Sequence, residues 1–325
     1  GDVNIVSGSF ENVSRINTAF GGIITGNPNG DGGNINLSAI GDVTTGFMAS
    51  GFLNNPGIAL TVNDFFPIDT LPGTKKAGNI NIDSNNGNIA STNFVLANAL
   101  EEGGNITFNA GENITLEAPG EITNSGEFGS IDLAFIGDIS SIGLTTGEIT
   151  FNASNTLFAN DTRILNRNGG DNKGKGINLF GKLIIMEDAS IISITRDEAQ
   201  EAQLGVVQNS ESGDVLLEAT SEILLRNSYV GSGGDFGNAN GGNINVNTPR
   251  LRIIKDLLFN PVVAVAWGIT TFTNDNSSGD AGDININASE SIEIIGEIPG
   301  SFIPNAETFN FDDSALISTT AEGGG

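Results

Sequence analysis

Among its 325 residues the chain has no cysteine and no histidine. The first absence excludes a disulfide framework, a thiolate nucleophile and a Cys-ligated zinc site. The second excludes a Ser-His-Asp triad, a His-metal site and an imidazole general base. Cations are scarce as well: 13 Lys and Arg stand against 39 Asp and Glu, a formal net charge of −26. Those few cations are scattered, which leaves no basic face for a phosphate backbone, and no nucleic-acid partner is expected. No stretch of about 18 apolar residues exists, the length a helix needs to cross a bilayer. The longest apolar run, Leu257 to Trp267, is broken by Asn260 and Pro261, so no membrane span is expected. The chain opens on Gly1 without a charged-then-apolar leader and reads as a piece of something longer. A carboxylate enzyme, an anionic binding surface and a structural scaffold remain open.

What the sequence does have is glycine, 45 of them, and one recurring phrase. A Gly, a short polar residue and two aliphatics flanking one polar position recur along the chain. The phrase reads Gly33-Asn34-Ile35-Asn36-Leu37, Gly78-Asn79-Ile80-Asn81-Ile82, Gly104-Asn105-Ile106-Thr107-Phe108 and Gly129-Ser130-Ile131-Asp132-Leu133. It continues as Gly147-Glu148-Ile149-Thr150-Phe151, the degenerate Lys175-Gly176-Ile177-Asn178-Leu179, Gly213-Asp214-Val215-Leu216-Leu217, Gly242-Asn243-Ile244-Asn245-Val246 and Gly282-Asp283-Ile284-Asn285-Ile286. The alternation has period two, the mark of a strand with one face buried. The inward column is Ile35, Ile80, Ile106, Ile131, Ile149, Ile177, Val215, Ile244 and Ile284; in the outward column only Leu216 is apolar.

A second aliphatic follows eight residues later, as in Ile35 to Val43, Ile106 to Ile114, Ile131 to Ile139, Ile149 to Leu157, Val215 to Ile223 and Ile284 to Ile292; Ile80 to Ile89 is nine. Between them a small residue, Ala39, Ala110, Ala153, Ala219 or Ala288, marks a tight bend. A third element comes about fifteen residues after the first, at Asp161–Ile164, Asp188–Ile191, Asn227–Val230 and Asp313–Leu316. Three short strands and a return to the Gly phrase describe one winding of an all-β solenoid. One winding cannot bury its own aliphatics, so windings stack, Ile on Ile inside and Asn on Asn at the turns. The Gly before each Asn or Asp fits a turn with positive φ. Ten to twelve windings at roughly 4.8 Å would make a rod of about 50–60 Å. The whole of 1–325 reads as a single segment, with loop insertions at about 49–76, 195–212, 255–280 and 296–312. Arg196 to Leu204 is its one convincing helix-forming stretch. Insertions in solenoids project from one face, which often binds.

Gly241-Gly242-Asn243-Ile244-Asn245-Val246 and Ala281-Gly282-Asp283-Ile284-Asn285-Ile286, with residues 103–116 and 212–242, resemble repeat units of filamentous-haemagglutinin-like exoproteins of two-partner secretion, especially the cyanobacterial ones. The resemblance covers essentially the whole chain and specifies architecture better than activity. It implies a right-handed parallel β-helix, secreted to the bacterial cell surface through a dedicated outer-membrane transporter partner. Many such proteins are adhesins, which implies a surface carbohydrate or protein receptor; others are contact-dependent toxins. Asn27-Pro28-Asn29-Gly30 is similar to a motif of the secretion domain, but Asp31 and Gly32 follow where aliphatics are expected, and the segment reads as a β-turn.

Parallel β-helices also carry pectin-cleaving and related enzymes, which need clustered carboxylates in one groove. The only adjacent acid pair in a plausible place, Asp312-Asp313, opens a third-element phrase and reads as a repeated turn acid. Arg15, Arg163, Arg167, Arg196, Arg226, Arg250 and Arg252 show no shared register with an acid cluster. Asp275, Asp280 and Asp283 in one Gly/Ser/Asn loop are the candidates for Ca²⁺, since oxygen ligands suit that ion. The calcium nonapeptide never repeats, so solvated turn acids and loose cation screening are the default. No cofactor is expected. Sequons stand at Asn12, Asn36, Asn105, Asn113, Asn152, Asn276 and Asn287, and Phe65, Phe66, Phe302, Phe309 and Phe311 lie in the insertions. The sequence therefore points to an adhesive or structural shaft without catalysis, with a polysaccharide-acting enzyme or a pure spacer as alternatives.

Overall fold

The structure, a computed structural model, describes residues 1–7, 16–17, 22–25, 30–51, 74–99, 101–117, 137–170, 173–195, 210–234, 238–255, 267–273, 279–296 and 315–321. Every strand pairing in it is parallel, and the strands form a 14-stranded and a 9-stranded sheet. The chain is a parallel β-helix with three arms per winding. The first arm begins with Val3–Ser7, Ile35–Ala39, Ile80–Ser84, Ile106–Ala110 and Ile149–Ala153. The second begins with Ile16–Asn17, Val43–Thr45, Ile89–Ser91, Ile114–Glu117 and Thr156–Asn160. From there four long strands, Ile177–Glu187, Val215–Arg226, Ile244–Ile254 and Ile284–Ile295, run around the corner and serve both arms. In three pairings between them the register shifts at that corner, the kind of irregularity that lets a strand bend. The third arm is the 9-stranded sheet, from Gly22–Ile24 to Ala315–Ala321.

Register confirms the stacking of like on like. The first column runs Val3, Ile35, Ile80, Ile106, Ile149, Ile177, Val215, Ile244, Ile284, each the direct partner of the next. From Ile35 to Ile244 all are fully buried. The second column runs Ile16, Val43, Ile89, Ile114, Leu157, Ile184, Ile223, Leu251, Ile292. The third is Ile23, Met48, Val95, Ile139, Ile164, Ile191, Val230, Ile269, Ile317. The three columns join in one hydrophobic cluster that includes Phe108 and Phe151, whose rings meet edge to face at 5.1 Å. Each buried Ile or Leu contributes about 1.5–3 kcal/mol by leaving water, and the repetition makes this the main source of stability.

The repeat differs from the sequence reading in several places. Ile106 pairs directly with Ile149, so no rung lies between them for Ile131, which is outside the described residues. Ile139, expected in the second column, stands in the third, between Val95 and Ile164. Both follow from residues 118–136, which hold a phrase-like sequence between Glu117 and Gly137 and lie outside the described residues. The described windings number nine, a stack of about 40 Å at roughly 4.8 Å each. At the last third-arm strand Leu316 pairs with Gly268, and Ile317 takes the column position instead. The helix expected at Arg196 to Leu204 lies outside the described residues. By their flanking strands, segments 52–73 and 196–209 fall between third-arm and first-arm strands, and 118–136, 256–266 and 297–314 between second-arm and third-arm strands; all lie outside the described residues.

The phrase glycines are also there for a different reason than expected. Among the described residues only Gly268 is a glycine with positive φ. A Cβ on Gly33, Gly78, Gly104, Gly147, Gly213, Gly242 or Gly282 would instead lie within 3.0 Å of backbone in the winding below. Here one main chain runs against the next with no room for a side chain. Positive φ occurs at the other end of the winding, at Asp161, Asp188 and Asn227, with values of 48°, 51° and 47°. These residues open third-arm strands, and Asp and Asn tolerate the left-handed region best among residues with side chains. The repeated turn acid is therefore structural at Asp161 and Asp188, while Asp312 and Asp313 lie outside the described residues.

Candidate functional site

The corner between the first and second arms is described without interruption from the second winding onward. Two side-chain ladders organise it. At the turn, Asp42 Oδ1 accepts from the Asn88 backbone N–H at 3.0 Å and from Asn88 Nδ2 at 3.1 Å. Asn88 Oδ1 accepts from Asn113 Nδ2 at 2.8 Å, and Asn113 Oδ1 from Asn155 Nδ2 at 3.1 Å. In the winding where the offset is nine rather than eight, Ser84 replaces the corner Ala. Its buried hydroxyl donates to the Gly41 carbonyl at 2.8 Å and accepts from the Gly87 N–H at 3.1 Å, which holds the extra residue in place.

The second ladder sits one step earlier, on the outward face of the first arm. Asn109 Nδ2 donates to Asp83 Oδ1 at 2.7 Å, and Asn152 Nδ2 donates to Asn109 Oδ1 at 2.7 Å. The next partner in register is Phe180, which offers no donor to Asn152. These four residues, with Asn85 and Ser154, line an open groove of about 320 Å³. Its one carboxylate is Asp83. The groove was not foreseen, although a signal exists: the strands Ile106–Ala110 and Ile149–Ala153 have the same sequence, ITFNA.

Ladders elsewhere explain the Gly-Asx spelling. The Oδ1 of Asp2, Asn34, Asn79 and Asn105 accepts the backbone N–H of Asn34, Asn79, Asn105 and Glu148 respectively, at 2.8–2.9 Å. Asp214 and Asn243 do the same for Asn243 and Asp283, both at 2.8 Å. Only an acceptor is used, so Asn and Asp are interchangeable there. Asp280 and Asp283, two of the three Ca²⁺ candidates, are such rungs, their N–H groups donating to Asn240 and Asn243 at 2.8 Å. Asp275 lies outside the described residues, among which no three acidic side chains cluster to hold a metal. Of the sequons, Asn36, Asn113 and Asn152 already spend their Nδ2 on a ladder bond; Asn12 and Asn276 lie outside the described residues. So do Phe65, Phe66, Phe302, Phe309 and Phe311.

Three of the arginines share a register with individual glutamates. On the second arm Arg250 stands opposite Glu222, and Arg252 opposite Glu293. Arg252 Nε reaches Glu293 at 2.6 Å, and Arg250 and Arg252 both approach Glu222, at 3.5 and 3.6 Å. Arg226 lies 3.7 Å from Glu187. Lys173 bridges Glu211 at 2.7 Å and Asp214 at 2.9 Å, and Lys76 meets Glu102 at 2.9 Å. The Glu102 carboxylate holds the Lys76 ammonium above its ordinary pKa. These exposed cross-strand pairs align windings and contribute little each; none of them lines the groove.

A further polar set was missed because it is hidden. Two residues after seven of the third-column aliphatics the chain places Thr25, Ser50, Ser141, Asn166, Ser193, Ser232 or Thr271 inward, while Ala97 follows Val95; all of the polar residues but Thr25 are fully buried. Ser50 Oγ, Asn166 Nδ2 and Ser232 Oγ donate to the carbonyls of Gly78, Gly147 and Gly213, at 2.6, 2.8 and 3.1 Å. Ser141 Oγ accepts from the Gly147 N–H at 2.9 Å. These members of the column thus satisfy peptide groups of the crowded Gly78, Gly147 and Gly213, while the Ser193 hydroxyl finds no partner among the described residues. On the outer face of the same arm Ala49, Phe94 and Leu96 pack with Phe47 in a second apolar cluster. Tyr229, also there, is buried, and loss of water pushes its phenol well above the ordinary value. No helix among the described residues is long and apolar enough to cross a membrane. No family model, curated protein or solved structure matches the chain.

Proposed function

We propose that the chain is a non-catalytic adhesive shaft, part of a secreted cell-surface exoprotein of the filamentous-haemagglutinin-like kind, exported by an outer-membrane transporter partner. The observation that carries this reading is the unbroken run of three aliphatic columns through nine windings. A stack held by so many like rungs is a stiff spacer, and surface features recur along it at a fixed pitch. The single carboxylate in the groove also supports a binding role, since glycoside cleavage by the usual route needs two. The test has two arms. Beads coated with the purified chain should be retained on cell or polysaccharide surfaces where bare beads wash off; equal retention would overturn the adhesive role. Incubation with soluble polysaccharides should release no new reducing or unsaturated ends, and their appearance would overturn the non-catalytic one.

A further inference from the structure

From the groove at the first corner we infer a binding site for a neutral, extended glycan. The inference deepens the adhesive reading and rests on it for its biological role, though not for its chemistry. Asp83, Asn109, Asn152 and Phe180 occupy the same position in four successive windings, so they span about 14 Å at a pitch of about 4.8 Å. That pitch is close to the rise of one pyranose unit in an extended polysaccharide, so about three sugars would lie along the groove with their hydroxyls in step with the rungs.

The ladder fixes the side chains before any ligand arrives. Each Asn commits one Nδ2 hydrogen to the rung below, at 2.7 Å in both cases. Its second amide hydrogen and a second carbonyl lone pair remain for a ligand. A vicinal pair of hydroxyls is the complement of such a donor–acceptor edge, because each hydroxyl both gives and receives. Since the rungs are held by each other, little side-chain entropy is lost on binding. At one end Phe180, half-buried on the outward face, presents a ring. An aromatic ring beside amides suits the C–H face of a sugar, which is apolar while its rim is polar. Nothing cationic lines the groove, and its one charge is the Asp83 carboxylate on a chain of net charge −26. Uronates and sulfated sugars are therefore repelled. A volume of about 320 Å³ lies in the range of small-ligand pockets, about 300–1,000 Å³, and suits a few sugar units.

The experiment titrates the purified chain with neutral gluco-, galacto- and manno-oligosaccharides of two to six units, by calorimetry, beside a uronic-acid series. At least one neutral series should bind, with affinity rising up to about three units and then levelling. Phe180→Ala should weaken binding about tenfold, and Phe180→Tyr should restore it. Ser154→Trp, at an exposed groove residue, should abolish binding with an unchanged thermal melting profile, which separates blockage from misfolding. The inference is overturned if no neutral series binds, if the acidic series binds better, or if Phe180→Ala and Ser154→Trp bind like the parent. Coated beads that adhere to cells while no neutral glycan binds would sink the groove and leave the adhesive reading standing. A glycan that binds through the groove while beads fail to adhere would do the reverse.

Discussion

Inside the first arm every inward side chain is apolar or a small corner residue: Ile106, Phe108 and Ala110 in one winding, Ile149, Phe151 and Ala153 in the next. Inside the third arm an aliphatic is followed by buried amides and hydroxyls: Ile164, Asn166 and Asn168, then Ile191, Ser193 and Thr195. Both arms have parallel ladders at the same pitch, so backbone geometry does not account for the difference. The neighbouring chain does. The third arm faces the start of the next first-arm strand, where glycine peptides are packed too tightly for water or side chains of their own. Their N–H and C=O groups need partners, and Ser50, Ser141, Asn166, Ser232 and Thr271 supply them, while the hydroxyls of Ser193 and Thr195 find no partner among the described residues. The first arm has no such neighbour, and it stays dry.

The comparison predicts that substitutions in the two arms fail for different reasons. Ile106→Ala leaves a cavity bounded by Ile80 and Ile149, which cannot collapse without pulling windings together. It should cost about 2–5 kcal/mol, read as a lowered denaturant midpoint; a loss below about 1 kcal/mol would mean the first column is not the main core. Gly147→Ala tests the joint between the arms. Its Cβ would meet the backbone of Gly104 and Asn105 within 3.0 Å, and no side-chain rotation relieves that contact. A loss of about 3 kcal/mol is expected, and a neutral result would show that windings part there at little cost.

Asn166→Ala removes the donor to the buried Gly147 carbonyl and should cost about 2 kcal/mol. Asn166→Ser, which installs the residue found at Ser141, Ser193 and Ser232, should recover part of it. Asn166→Leu sharpens the contrast: if an apolar side chain of similar size were as stable as Asn, the polar column would be tolerated rather than required. Ser232→Ala should cost only about 1 kcal/mol, because its bond to the Gly213 carbonyl is long, at 3.1 Å, and the Gly242 N–H that it accepts at 3.0 Å keeps Ser212 as a partner at 2.6 Å.

How much of this was legible in the sequence depends on distance along the chain. The first two columns were legible where a period of two and an offset of eight hold, as from Ile149 to Leu157, but not where the offset shortens, as from Ile177 to Ile184 and from Ile244 to Leu251. The third arm was only partly so: Ile164, Ile191 and Val230 stand at a regular offset, but Ile139 was read one arm too early because residues 118–136 intervene and contain a phrase of their own. The polar column was overlooked since Ser and Thr ordinarily mark loops, and only the stacked structure shows Ser193 and Ser232 turned inward. The groove depends on Asn109, Asn152 and Phe180 being neighbours across windings, a relation fixed by the lengths of the intervening excursions. The glycines were recognised, but the pressure on them comes from the winding below, not from their own dihedral angles.

The smallest expected effect concerns the corner that opens the third arm, where Asp161 and Asp188 occupy the place that Asn227 fills one winding later. Burial raises the pKa of the Asp161 carboxyl, and the hydrogen bond that Asn160 Nδ2 gives its Oδ2, at 3.1 Å, only partly offsets this. The folded state therefore holds the proton more tightly than the unfolded chain does. The resulting stabilisation is fully present below the ordinary aspartate pKa of about 3.9 and is lost as pH rises through the higher folded value. Asp161→Asn keeps a residue that tolerates positive φ and cannot ionise. At pH 7 it should therefore melt about 1 °C higher than the parent, with the gap closing as pH falls toward 3. A gap independent of pH would mean that the carboxylate is not penalised at that corner. A variant less stable at pH 7 would mean that the negative charge itself, rather than the backbone conformation it permits, is what this position selects.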